Sequence, residues 1–120
     1  MKVIYQVAVT KVGKFAKEAL SENMFITFKQ NVPKDLEDYC FIHNHDELRC
    51  DVKAGDILQI DDKDYPITAV GNVASCNLKE LGHISFRFDN ATQAEYPGNI
   101  HVRGDVPELD IHSVIAIKQQ

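Results

Sequence analysis

His83-Ile84-Ser85-Phe86-Arg87-Phe88-Asp89 alternates polar and apolar side chains along its whole length. That is the period of a strand with one wet face and one core face. Asn99 to Arg103 repeats the pattern, with His101 and Arg103 on the wet side of Ile100 and Val102, and Ser113 to Lys118 reads as a further closing strand. Upstream, Gly55–Ile60 and Tyr65–Val70 flank Asp61-Asp62-Lys63-Asp64, which predicts a hairpin with a solvated tip. Val3 to Val9 and Met24 to Phe28 are rich in β-branched and aromatic residues, as strands are. Helix signals are few. Phe15, Ala16, Ala19 and Leu20 have amphipathic spacing, and Asp35 to Tyr39 after Pro33 has the length of one turn. Asn77-Leu78-Lys79-Glu80 reads as a capping box that Gly82 would terminate. Many short strands and two or three short helices predict a mainly β fold, a barrel or sandwich; we expect a small closed or partly open β-barrel.

The chain has 120 residues, the size of one domain spanning 1–120, without an internal repeat or linker. With 44% hydrophobic residues it can bury a core without disulfide or metal staples. Eighteen acidic residues against thirteen basic ones give a net charge of -5, and no Lys/Arg run is present. Nucleic acid is therefore excluded as the expected partner, and a basic protein suits the charge better. Cys40, Cys50 and Cys76 are odd in number and lack C-x-x-C spacing, which predicts reduced thiols in a cytoplasmic protein. The N-terminal stretch has no signal-peptide pattern, and no apolar run approaches the roughly 18 residues of a membrane span.

The chemistry concentrates in Cys40-Phe41-Ile42-His43-Asn44-His45-Asp46-Glu47-Leu48. At the end of a strand, His43 and His45 would stand side by side while Asn44 points away. Three readings are open. His43, His45 and Glu47, joined by His101 from a later strand, have the donor types of a cupin-like metal site. Alternatively, one imidazole is a nucleophile: with an ordinary pKa near 6.5, about three quarters of it is neutral at pH 7. Phosphoryl transfer then asks mainly for in-line positioning and charge stabilisation. The third reading is a polar surface ladder. Elsewhere, His83 and His101 fall on wet strand faces and His112 beside Asp110 in a turn, while the six glycines are too dispersed for a nucleotide loop.

Several motifs together resemble one family. Cys40 to Leu48 is similar to the histidine segment of the glucitol/sorbitol-specific enzyme IIA of the bacterial phosphotransferase system (PTS). Tyr65-Pro66-Ile67-Thr68-Ala69-Val70-Gly71, Asn77-Leu78-Lys79-Glu80-Leu81-Gly82-His83 and Glu95-Tyr96-Pro97-Gly98-Asn99-Ile100-His101-Val102 resemble the same family in the same order, as does Val3-Ile4-Tyr5-Gln6. The resemblance implies a compact β-barrel and a phosphocarrier with no metal or nucleotide cofactor. His43 would accept a phosphoryl group from the phosphocarrier protein HPr and pass it to the IIB domain of the IIB/IIC permease. Other IIA proteins pair a second histidine with the acceptor, which makes His45 and His83 candidates for stabilising the phosphoryl group. A carrier of this kind is expected to present its nucleophile at a surface, with Phe41 and Ile42 in a docking patch. Arg49, Lys53 and Arg87 are candidate neutralising cations.

Overall fold

The computed structural model describes residues 2–120. Its eight strands are β1 (Lys2–Val12), β2 (Met24–Lys29), β3 (Phe41–His43), β4 (Ile57–Ile60), β5 (Lys63–Val70), β6 (Ile84–Arg87), β7 (Asn99–Val102) and β8 (Val114–Gln119). They close into a barrel in the order β1-β3-β2-β6-β7-β5-β4-β8, with β8 paired back onto β1. The pairs β2/β3 and β6/β7 are parallel and all others antiparallel. Closure leaves no free sheet edge, and it is the closed form of the expected barrel.

The helical segments are a 3-10 helix (Ala16–Glu22), the single turn α1 (Lys34–Glu37) and α2 (Ala74–Leu81). The first two lie where the sequence places them. Helix α2 begins earlier than the capping-box reading of Asn77, which sits inside the helix, and Val73 caps it without a side-chain bond. Backbone contacts set that start. The Val73 N–H donates to the Pro97 carbonyl at 3.1 Å, and Gly71 lies so close to the same carbonyl that a Cβ there would collide with it. Gly82 does end the helix in the left-handed conformation, at φ 60°. The hairpin turn is tighter than expected, because Lys63 and Asp64 already belong to β5 and only Asp61-Asp62 turns the chain.

Alternation along each strand sorts the side chains. Phe86 and Ile84 of β6 point into the core while Ser85 and Arg87 remain partly exposed, as the heptapeptide predicts. Strand β7 departs from the prediction: all four of its residues are buried. The centre of the barrel is aromatic. Phe25 stacks on Phe86 at 4.9 Å and meets Phe41 edge-on at 6.0 Å between ring centroids. Such pairs add to the burial energy of the rings. A second, smaller apolar cluster of Phe28, Cys40 and Ile42 lies outside the barrel wall.

Phe25 is wholly buried, so Phe25→Ala is expected to cost about 3–5 kcal/mol of unfolding free energy through lost burial and an unfilled cavity. Urea denaturation measures it, and a loss below about 1 kcal/mol would contradict this account of the core.

Candidate functional site

Strands β2 and β3 run in parallel register, Thr27 beside Phe41, Phe28 beside Ile42 and Lys29 beside His43. Phe28 and Ile42 belong to the outer cluster, and Phe41 belongs to the core. Alternation therefore turns Thr27, Lys29 and His43 to the inner side of the wall, at one mouth of the barrel. Helix α2 ends over this mouth.

After His43 the chain leaves the strand. His45 takes φ 59°, and Asn44 and Asp46 replace backbone acceptors along β1. The Asn44 Oδ1 accepts the Ala8 N–H, and the Asp46 Oδ2 accepts the Gln6 N–H, both at 3.0 Å. Burial pushes the Asp46 carboxyl up, but its hydrogen bonds from Arg49, Gln6 and Glu47 outweigh this and hold it below the ordinary carboxylate range. The two imidazoles do stand together, with ring centroids 5.9 Å apart. They meet through the turn at His45 and their shared contact with Gly82, where a Cβ would fall against both rings.

Each ring has a fixed tautomer. The His45 backbone N–H donates to His43 Nδ1 at 3.0 Å, so that nitrogen carries a lone pair. His43 Nε2 then carries the proton and donates it to the Gly82 carbonyl at 2.8 Å. Thr27 Oγ1 donates to the same carbonyl at 3.0 Å. In His45, Nε2–H donates to the Lys79 carbonyl at 3.2 Å and Nδ1 accepts the Tyr5 hydroxyl at 3.1 Å. In His83, Nδ1–H donates to the Thr27 carbonyl at 3.0 Å, and Nε2 is solvent-accessible with no partner among the described residues.

His43 is only 1% exposed. Burial pushes its pKa down to about 4, against the opposing pull of the Gly82 carbonyl and with a smaller push from His45. The ring is thus a neutral imidazole at physiological pH. Its burial corrects the expectation of a surface nucleophile: His45 and Gly82 cover both ring nitrogens. Phe41 is wholly buried and Ile42 nearly so, which removes both from any docking patch.

The metal reading fails on geometry. His101 lies on β7, fully buried, with Nδ1 2.8 Å from Asp89 Oδ1 and Nε2 accepting the Glu95 N–H. The wet face expected for it is covered by the Asp89–Gly98 loop. Glu47 is exposed and bonds locally through its backbone. Among the described residues no group of three or more His, Cys, Asp or Glu is placed to hold a metal. The three cysteines are free. Of the suggested cations, Arg49 pairs with Asp46 at 2.8 Å, Lys53 is exposed in the loop before β4, and Arg87 lies at the far end of β6 against Glu95 and Tyr96.

Residues 4–116 match the family model described as the PTS system glucitol/sorbitol-specific IIA component. The chain belongs to that family. Curated glucitol/sorbitol-specific EIIA components of Shigella flexneri and Escherichia coli (strain K12) are each 50% identical to this IIA component over 108 residues. Each alignment covers 90% of this chain and 88% of the relative. The crystal structure of a PTS system IIA component from Enterococcus faecalis V583 superposes with a TM-score of 0.86 at 28% identity, covering 95% of this chain and 99% of that one. This IIA component is therefore a phosphotransfer protein that works with phosphocarrier and IIB/IIC partners. No helix among the described residues is long and apolar enough to cross a membrane.

Two outcomes follow from the His43 environment. Between about pH 6.5 and 4 the unfolded chain binds a proton at His43 that the folded one refuses. The stability linked to this residue, on the order of 3 kcal/mol, is therefore complete above that window and lost as pH falls through it. Denaturant titrations at stepped pH should show a shallower acid decline for His43→Gln than for the native chain. Separately, Gly82→Ala forces an alanine into the left-handed region and against the His43 ring, and should destabilise the fold by about 1–3 kcal/mol. A thermal midpoint equal to the native value would show that the approach is not tight.

Proposed function

We propose that His43 is the covalent phosphoryl carrier of this IIA component. The observation that supports this most is a neutral imidazole whose Nε2–H is held by a backbone carbonyl at the end of a helix. A neutral ring keeps a lone pair for attack on phosphorus. As the N–P bond forms, positive charge develops on the ring, and the Gly82 carbonyl and the negative end of the α2 dipole lie where that charge appears.

The donor is phosphorylated HPr, and the acceptor is the IIB domain of the glucitol/sorbitol permease, whose IIB/IIC subunits couple transfer to sugar uptake. The protein works in the cytoplasm. Because both nitrogens of His43 are engaged at rest, transfer begins with release of one of those bonds as a partner docks. His45 acts as a positioning residue: Tyr5 and the Lys79 carbonyl lock its ring, and the locked residue aims its own N–H at His43. His83, one residue past Gly82 with its Nδ1–H held by the Thr27 carbonyl, is the other candidate for stabilising the phosphoryl group. No metal or nucleotide cofactor takes part.

Intact mass after incubation with phosphoenolpyruvate, enzyme I and HPr tests this reading. The native chain should gain one acid-labile phosphoryl group of about 80 Da and His43→Ala none. A phosphoryl group retained by His43→Ala would overturn the assignment.

A further inference from the structure

Phosphoryl transfer places two negative charges on the group attached to the acceptor, and a site that performs it needs a cation or aimed N–H donors there. The carbonyls around His43 are acceptors and offer nothing to a phosphate. Arg49 is held by Asp46, and Arg87 lies at the other end of its strand. Within the sheet a cation stands directly beside His43. Lys29 is its direct register partner on β2, across a parallel pair whose strands lie about 4.8 Å apart, and its side chain leaves the same face of the sheet.

Lys29 Nζ donates to the Glu80 carbonyl at 3.0 Å, two residues before the carbonyl that holds His43. It makes no ion pair with any carboxylate among the described residues, although the chain carries eighteen acidic side chains. Its contact is a single neutral carbonyl at a half-buried position, and a dianionic phosphoryl group is a far stronger partner for an ammonium. A flexible four-carbon stem separates Nζ from the strand, so the head can exchange one acceptor for the other without moving the backbone.

We propose that Lys29 is the phosphoryl-binding cation of this site. It exchanges the Glu80 carbonyl for the phosphoryl oxygens when the group arrives at His43. This rests on the reading of His43 as the acceptor. In the step, the P–N bond of the donor phosphohistidine breaks as the N–P bond to His43 forms. The electron pair of the broken bond returns to the donor ring, the proton on the far nitrogen of His43 stays in place, and Lys29 supplies charge without giving up a proton.

Single-turnover transfer from phosphorylated HPr, measured up to saturating donor, tests the proposal on the native chain, Lys29→Met, Lys29→Arg and His43→Ala. The saturating rate separates transfer from docking, which a surface lysine could also affect. Lys29→Met is expected to lower that rate at least about tenfold, and Lys29→Arg to restore most of it, with thermal midpoints close to native for both. A native saturating rate in Lys29→Met with His43→Ala inert would overturn the role of Lys29 alone. Phosphorylation of His43→Ala would overturn the acceptor assignment and this proposal with it.

Discussion

An α-helix leaves its last carbonyls without donors, and in α2 those groups become the frame of the site. Gly82 and His83 satisfy two of them through backbone N–H groups reaching back to Leu78 and Asn77. Side chains from elsewhere in the chain take three more: His45 on the Lys79 carbonyl, Lys29 on that of Glu80, and His43 with Thr27 on that of Gly82. The same few bonds thus dock the helix over the barrel mouth and fix both imidazoles. Without the left-handed turn at Gly82, the carbonyl would not face the rings and a side chain would occupy their space.

That frame reconciles two demands that usually conflict. A buried histidine is stable only when neutral, and here burial lowers the pKa far enough that protonation does not compete at physiological pH. A helix C-terminus favours positive charge, so the same surroundings would accommodate the charge that develops on the ring in the proposed phosphoryl transfer. The neutral resting state and the charged state that the proposed transfer passes through would have separate causes, desolvation for one and directed carbonyls for the other. Covering of the ring also keeps water away from it, since His43 is almost fully buried.

Most of the barrel was legible in the sequence because its signals are local. Alternation in His83–Asp89, β-branched runs at Val3 and Met24, and the acidic turn at Asp61 each report a strand or hairpin from neighbouring residues alone. What escaped was long-range. His101 alternates like a surface residue, and only the loop from Asp89 to Gly98 folding over it makes it a buried partner of Asp89. The start of α2 is set by Gly71 and Pro97 meeting across the fold, which no cap residue at Asn77 announces. The motif around His43 and His45 marked the candidate site, yet its burial depends on Gly82, thirty-nine residues away. Lys29 carries no sequence signal, because only the parallel register of β2 and β3 brings it beside His43.

Histidine side-chain ¹H–¹⁵N correlation spectra recorded through an acid titration test the central claim directly. The account predicts that His43 carries its proton on Nε2 alone at neutral pH and keeps that tautomer until the pH nears its depressed pKa of about 4. An Nδ1–H tautomer at neutral pH, or a His43 midpoint at the ordinary value of 6.5, would contradict it.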